Sequence, residues 1–574
     1  MWNGSFTSPK RKRLSEYLAP ELHGHRQALA GQVVRAAAWR PKAMAGFRKP
    51  EQLREQMVLF SQRLDDSLPP DHPVRLVVHL LESGAFAPVF GEWANDYVLL
   101  EGKPPYHPRD LTGLYIYGMM NRIRSSRQLE SACHNRLDVR WLMSGQTPDH
   151  STIAEFVGRH AKRLRGMFQE MLGVAHRAGL VKLEHVSVDG TKIEANAGRG
   201  SVHGELTIAG ELVGVREQIE ALEKEWEANE AREARLFGGE VPWVPSGEGS
   251  MKDRLARMKE KQSRLEDALA VILRRREEAT GWQDPKAIAS TTDADGRVMK
   301  DKEGRSKPNY NGQATVDAAE GVIVANDVND HPEDSGLLVP AMVQIEENCG
   351  QLPAEVSADS QYNVGPDLEA LEQMGVVGYL PDNRKPSAVS QQDASREALT
   401  AARAGQTLTD EQWKALPKDK AGRITKEAFC YDPAADVYRC PMGQGLPFLR
   451  YSQNQNGSGV VKRAQYGGCA ACAGCPRASM CCGNPAQGRT INRDRYEACR
   501  ERMRARFNSE QGRSRYRLRG PTVEPRFGFI KQNLGIRRFM RRGLDAVRTE
   551  WSMICTVVNL GVLLRHWPEV VSVL

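Results

Sequence analysis

Residues 183–197 read LEHVSVDGTKIEANA, and this stretch decides the fold. Its first half alternates and carries the β-branched Val186 and Val188. That pattern predicts a strand ending in a turn at Asp189-Gly190. An aspartate at the end of a strand can project into a cleft while its backbone stays buried. Asp-Gly is also among the commonest turn pairs, so taken alone Asp189 reads first as a turn former. Partner groups elsewhere in the chain decide between the two readings.

At 574 residues the chain is long enough for several domains or one elaborated domain. Hydrophobic residues at 40% and charged residues at 26% are ordinary for a soluble globular protein. No run of about 18 apolar residues appears, so no membrane span is expected. The most apolar region, 551–564, is interrupted by Ser552, Thr556, Asn559 and Gly561 and reads as a buried helix. The N-terminus lacks the charged-then-apolar layout of a secretory signal. Eleven cysteines are bunched between Cys430 and Cys482 and otherwise scattered. Without a secretory segment they predict a reducing, cytoplasmic setting and metal binding over disulfides.

Residues 1–48 carry basic and small residues, including Lys10-Arg11-Lys12-Arg13, and read as a disordered leader or a basic arm for nucleic acid. Structure is expected to begin near Phe47. From about 74 to 180 the pattern is helical. Pro108 and Asp110 open one helix, Ser125-Ser126-Arg127 lead into another over 128–135, and 148–152 (PDHST) caps a third. Asp149 and His150 suggest a metal or acid–base pair, yet Asp before a helix is more often an N-cap. Exposed Arg122, Arg124, Arg127 and Arg136 suit either DNA contact or a solvated face.

Two highly charged segments, 212–237 and 251–279, carry Leu212, Val215, Ile219, Leu222 and Trp226, then Met251, Leu255, Met258, Leu265, Leu269 and Ile272. Those four- and three-residue steps predict two seams of a helical hairpin, joined by GGEVPWVPSGEGS. Strand signals resume at 310–316 (YNGQATV) and 322–328 (VIVANDV), with a turn at 319–321. A helix over about 336–348 follows. The strand 354–360 (AEVSADS) again ends in an aspartate, Asp359, and 376–380 (VVGYL) is a further strand. This order predicts a mixed sheet with helices against it.

Past a polar stretch at about 385–428, Cys469, Cys472 and Cys475 stand at C-x-x-C spacing, with Cys440 upstream and Cys481-Cys482 downstream. The pattern fits tetrahedral thiolate binding of a structural zinc, with more thiols than four ligands. From 500 to 548 there are fourteen arginines and one lysine against Glu501, Glu510, Glu524 and Asp545, a local net charge of +11. Such density points to a polyanion, with phosphates the usual partner. Pro525 suits the first turn of a helix, which would set Glu524 and Lys531 on one face. Two strand-end aspartates and this glutamate make three carboxylates, the donor set of a two-metal site for in-line displacement at phosphorus.

At this point the chain resembles the DDE transposases of bacterial insertion sequences, in the group with a helical N-terminal transposase domain. The pieces that carry the resemblance are YHPRDLTGLYIYGMMNRIRSSRQLE, PDHSTIAEF, VSVDGTKIEANA, YNGQA, VSADSQY and TVEPRFGFIKQN, spread over most of 47–565. The resemblance implies an α/β (mixed α+β) fold with an RNase H-like core. It also implies DNA cleavage and strand transfer at element ends, and Asp189, Asp359 and Glu524 as the metal-binding triad. Two Mg²⁺ ions would be held there, with Mn²⁺ able to substitute. Lys531, Arg519, Tyr516, Arg526, Arg537 and Arg538 would contact DNA, and Cys440, Cys472, Cys475 and Cys481 look like the zinc set, Cys469 and Cys482 being additional. Two departures stand out: Gln361 where relatives usually carry Gly, and one extra residue between Arg519 and Glu524.

The expected organisation is a leader over 1–48, a helical DNA-binding domain over 49–180 and the first part of the core over 181–385, with the hairpin inserted at about 211–279. A cysteine-rich insertion over 386–499 and a basic helical part carrying the third acid over 500–574 complete it. The partners implied are inverted-repeat element ends, target DNA and further copies of the chain in a synaptic complex, at the nucleoid in the cytoplasm. A DNA-binding zinc protein without catalysis and a nuclease of the same fold are the alternatives.

Overall fold

The computed structural model describes residues 63–97, 104–237, 251–278, 287–300, 304–382, 389–419, 421–456 and 459–574. The basic leader with Lys10–Arg13, the expected start near Phe47 and the hairpin connector 238–250 lie outside the described residues. Two compact units emerge: the described part of Met1–Gly179 with Asn559–Leu574, and Leu180–Val558.

The first unit is helical: α1 (Pro73–Glu82), α2 (Ala87–Ala94), α3 (Pro108–Met120), α4 (Ser126–Asn135), α5 (Leu137–Leu142), α6 (His150–Arg159) and α7 (Ala161–Arg177). Helix α3 buries Leu111, Leu114, Ile116 and Met119, so apolar side chains leave it on every side and it forms the centre of the bundle. Ser125 Oγ accepts from Gln128 N at 3.2 Å, and Asp149 Oδ1 accepts from Thr152 N at 2.8 Å. Asp149 is therefore an N-cap, while His150 turns away to Glu130 at 2.9 Å. Arg136 binds Asp138, whose other partner is the buried Tyr117 hydroxyl at 2.8 Å. It is part of the fold, not a free basic face.

In the second unit a six-stranded mixed sheet comes first. Strand β1 (His185–Glu194) is followed by a small two-stranded sheet of β2 (Val202–Gly204) and β3 (Ile288–Ser290). The large sheet continues with β4 (Arg297–Lys300), β5 (Ser306–Asp317), β6 (Ile323–Asn329), β7 (Glu355–Ser357) and β8 (Val377–Tyr379). Strands β6, β5 and β1 form an antiparallel meander, and β7 and β8 add parallel to β1 on its other edge. Between β2 and β3 stand α8 (Glu205–Phe237) and α9 (Met251–Glu278), joined through Leu212, Val215, Ile219, Leu265 and Ile272. The seam follows the predicted steps, and Arg216–Glu266 and Lys259–Glu223 bridge its flanks in an antiparallel sense.

Helices α10 (Leu338–Cys349) and α11 (Gly365–Met374) flank the parallel strands, each ending in a left-handed glycine, Gly350 and Gly375. Next come α12 (Val389–Arg403) and α13 (Asp410–Ala415), then a second, antiparallel sheet: β9 (Cys430–Asp432), β10 (Val437–Arg439), β11 (Gly445–Asn456), β12 (Gly459–Tyr466) and β13 (Ile491–Arg493). This sheet and the helices before it share their own core around Trp413, Ile424, Tyr438 and Tyr466. The chain closes with α14 (Ala478–Cys481), α15 (Glu497–Asn508), α16 (Glu510–Arg517), α17 (Arg519–Gly528), α18 (Leu544–Arg565) and α19 (Trp567–Val571). Helix α18 has the length and hydropathy of a membrane span, but 83% of its most apolar window is buried, as befits a core helix.

Three sequence expectations are corrected. Strand β1 does not turn at Asp189-Gly190 but runs through both, with Asp189 opposite Ala314 and Gly190 opposite Gln313. Pairing with the long β5 outweighs the local turn preference. Pro525 lies in the interior of α17, not in its first turn. With no N–H it cannot donate to the carbonyl four residues back, and the helix widens into a π-helical turn at Phe529–Asn533. The arginines of 500–548 are also not a free polyanion surface as a set. Arg500 binds Asp494, Arg502 binds Glu372, Arg504 binds Asp382, Arg515 binds Glu355 and Arg548 binds Asp327. Acids 120 residues or more upstream in sequence neutralise several of them.

Candidate active site

The site is built where β7 stops. Its pairing with β1 runs His185–Glu355, Val186–Val356 and Ser187–Ser357, and both chains continue two residues further, to Asp189 and Asp359. Below that level the interior is tied by polar contacts: Ser187 Oγ to Ser357 Oγ at 2.9 Å, and His185 to Ser357 at 3.0 Å and Glu355 at 3.1 Å. Above it, Asp189 is flanked by β5 on one side only, so its carboxylate stands at the open end of a parallel pair. This is the usual location of ligand sites in sheets with parallel strands.

Arg519, the first residue of α17, donates from Nη2 to Asp189 Oδ1 at 2.9 Å, and the Gly190 N–H reaches the same oxygen at 2.9 Å. Burial pushes the Asp189 carboxyl above the usual aspartate range; Arg519 and the Gly190 N–H oppose the shift, and the charges of Asp359 and Asp334 add to it. Asp359 accepts from Gln361 N at 2.8 Å and caps the short turn Ser360–Tyr362. Gln361 has no left-handed backbone here, so the turn does not require a glycine at this position. Its side chain accepts instead from Asp334 N, at 3.3 Å.

Behind Asp189 lies a polar cluster that sequence reading did not assign. Asp334 Oδ1 accepts from Asn311 at 2.6 Å and Gln313 at 2.7 Å, and Tyr362 donates to Gln313 Oε1. Lys192, three residues beyond Asp189, lies in the field of Asp334, Asp359, Asp189 and Glu333, which oppose the lowering of its pKa by burial. The available signal was polar residues at alternate positions, Asn309, Asn311, Gln313, Thr315 and Asp317, in a strand that is buried from Pro308 onward.

The other expected residues are distributed as follows. Tyr516 is half-buried, its ring edge-on to Phe507 at 5.1 Å; burial raises its pKa, and Arg519, Asp359 and Asp189 lie within electrostatic reach. Lys531 reaches β1, donating to the Lys192 carbonyl at 3.1 Å. Glu524 is exposed on α17, a helix packed against β1 and β5, and Gly520 one turn earlier leaves its carboxylate clear. Arg526 lies against the β5–β6 turn, donating to the Glu320 carbonyl at 3.0 Å over Gly321, where no side chain would fit. Arg537 donates to Gln532 and Arg538 to Asn196, beyond the far end of β1.

The donors at Asp189 and Asp359 are hard carboxylate oxygens, suited to magnesium and not to soft metals. As the side chains stand, Arg519 holds the Asp189 oxygen, and among the described residues no group of three or more His, Cys, Asp or Glu could hold a metal ion. That statement includes the cysteines, although Cys440, Cys469, Cys472, Cys475, Cys481 and Cys482 all line one pocket as free thiols. Burial raises the pKa of Cys440, with Cys472 and Cys475 adding to it, and pushes Cys481 up to about 12.

The fold is mixed α/β, with two aspartates beyond the paired part of parallel strands and arginine-rich helices after them in the chain. The family comparisons narrow this. A transposase DDE domain matches residues 439–564, and a transposase domain (DUF772) matches residues 62–159. These two matches support a DDE transposase of the insertion-sequence type. The first match spans the cysteine pocket, Glu524 and Lys531, while Asp189 and Asp359 lie outside both. No curated protein matches the chain.

Proposed function

We propose that the protein cleaves DNA at the ends of an insertion sequence and joins the freed 3′ ends to target DNA, with Asp189, Asp359 and Glu524 as the acidic triad. The observation that carries this reading is the β1–β7 register, which ends at Ser187–Ser357, two residues short of Asp189 and Asp359, with the Asp359 charge acting on the Asp189 carboxyl. The strand order β6-β5-β1-β7-β8, a meander extended by two strands parallel to the first, supports an RNase H-like core. Glu524 would join from α17, the helix that also brings Arg519 to Asp189. Divalent ions held by these oxygens would supply activation of water or a 3′-hydroxyl and charge stabilisation of the leaving oxygen.

The chain's own residues then have distinct tasks. Arg519 offsets the charge of Asp189 and holds it in place while the site is at rest. Lys531, seated on the β1 backbone, and the ammonium of Lys192 add positive charge beside the carboxylates, where a scissile phosphate would be bound. Tyr516 walls the same side. The cysteines Cys440, Cys472, Cys475 and Cys481 would hold a structural zinc between the turns of the second sheet; their convergence on one pocket supports this reading. The domain limits expected from sequence, a synaptic multimer, and action at the nucleoid in the cytoplasm belong to the same proposal.

Incubating the protein with a labelled element end, target plasmid and Mg²⁺ tests it. Joined product is expected; cutting alone would make the protein a nuclease, and binding alone a DNA-binding protein. Asp189→Asn or Asp359→Asn should abolish cutting, by a factor of about 10³ or more, and leave end binding intact. Full cutting by either variant would remove these aspartates from the mechanism.

A further inference from the structure

The second sheet carries a one-sided charge pattern. Between Val437 and Arg493 there is no Asp or Glu, against seven bases: Arg439, Arg450, Lys462, Arg463, Arg477, Arg489 and Arg493. Four of the seven are spent within the fold. Arg439 binds Asp432, Arg477 binds Asp410, Arg493 binds Glu501, and Arg489 donates to the carbonyls of Cys481 and Ile424. The remaining three sit together on the β11–β12 ribbon, and none forms an ion pair among the described residues.

The register defines what that ribbon presents. Arg450 pairs with Gln465, and Ser452 with Arg463, so these four share one face; β13 extends it with Asn492 beside Gln465. Arg450 Nε donates to Gln465 Oε1 at 2.9 Å, and the Gln465 amide reaches Asn492 Oδ1 at 3.5 Å. On the other face Lys462 stands 4.0 Å over the ring of Tyr451, which is 59% exposed. Among the described residues no third strand covers the ribbon beyond Arg463: β13 pairs only with Ala464 to Tyr466 and β10 only with Gly445 to Pro447.

We infer that this ribbon is a docking surface for duplex DNA, a second contact region separate from the carboxylate site. A two-stranded ribbon fits the width of the major groove, about 12 Å. Arginine, glutamine and asparagine side by side are the groups that read purine edges there, and unpaired cations meet phosphates. A merely solvated surface would carry mixed charge, as α8 and α9 do with their cross-helix bridges. The inference rests on the transposase reading only for the identity of the DNA.

The test uses the full chain and a labelled 40-base-pair duplex, with binding followed by anisotropy across a salt series. Arg450→Ala/Arg463→Ala should flatten the slope of log affinity against log salt by about 1.8, from two lost phosphate contacts, and weaken binding at least tenfold. Arg450→Lys/Arg463→Lys should keep the slope. Arg450→Gln, an exposed single change on the same face, gives the same direction, by about 0.9, should the double variant fold poorly. An unchanged slope in folded variants overturns the inference. Asp189→Asn in the same series separates the two proposals: loss of cutting with unaltered binding supports the carboxylate site alone, whereas a ribbon effect in a protein that never cuts leaves the ribbon standing and the transposase reading fallen.

Discussion

At Gly190 the chain has no room for a side chain. A Cβ there would collide with Gln313 Nε2 and stand 2.7 Å from Asp334 Oδ1 and 2.9 Å from Asn311 Oδ1. Gly190→Ala should therefore cost about 1–3 kcal/mol, seen as a lower urea midpoint. Combining it with Gln313→Ala should cost less than the sum of the two, and strict additivity would show that the clash is not with Gln313. Its neighbour Asp189 carries a cost of a different kind. Its folded pKa lies above the unfolded value, so the native state holds more protons between the two, and stability falls as pH rises through that window. Asp189→Asn does not titrate. Its unfolding temperature relative to wild type should rise from pH 4 to pH 8 even as cutting is lost; a difference that shrinks over that range would contradict the burial argument. Of the proposed site residues, Asp189, Asp359 and the arginine-rich segment around Glu524 were singled out from the sequence, because an acid after alternating strand residues and one-sided charge leave local marks. Lys192, Asp334 and Gln313 were not, since each matters only through the pairing of β1 with β5.

At the scale of elements the same division recurs. The hairpin β5–β6, strands β7 and β8 and the seam of α8 and α9 follow from alternation and from three- and four-residue steps, which are properties of one segment. The supposed turn at Asp189-Gly190 and the supposed helix start at Pro525 failed because a partner outside the segment decides: β5 for the first, the packing of α17 on β1 and β5 for the second. The hairpin of α8 and α9 is also tied into the unit by neighbouring side chains of α9, Arg274 and Arg275. Arg275 is almost fully buried, donating to the Ile288 carbonyl at 3.1 Å, the Asp295 carbonyl at 2.9 Å and Asp330 at 3.2 Å, and Arg274 lies 3.7 Å from the same Asp330 oxygen. Arg275→Ala would remove these buried hydrogen bonds while Arg274 still faces Asp330, and should cost about 1–3 kcal/mol. Hydrogen exchange should accelerate first in α9, β3 and β4. A uniform acceleration across the large sheet would mean that the hairpin and the sheet unfold as one.

Over the whole molecule, positive charge is divided between two tasks that net charge cannot distinguish. The run 500–548 has the greater density, yet Arg504 is typical of it: largely buried, its Nε 2.7 Å from Asp382, it ties α15 to the end of the large sheet's last strand region. The run 437–493 has about half as many bases, but among the described residues its ribbon cations form no ion pair. Charge density along the chain therefore misjudges where a polyanion can bind, because acids distant in sequence neutralise the denser run. Opposite outcomes follow for two substitutions of like charge change. Arg504→Ala should lower stability by about 1–3 kcal/mol, through the unpaired Asp382, and leave the salt dependence of DNA binding alone. Arg450→Ala should leave the unfolding midpoint within about 0.5 kcal/mol of wild type, as an exposed change does, and flatten that salt dependence by about 0.9. Measuring both variants by urea unfolding and by salt-dependent anisotropy decides the matter: if Arg504→Ala also flattens the slope, the basic helices contact DNA directly and their ion pairs are not their main purpose.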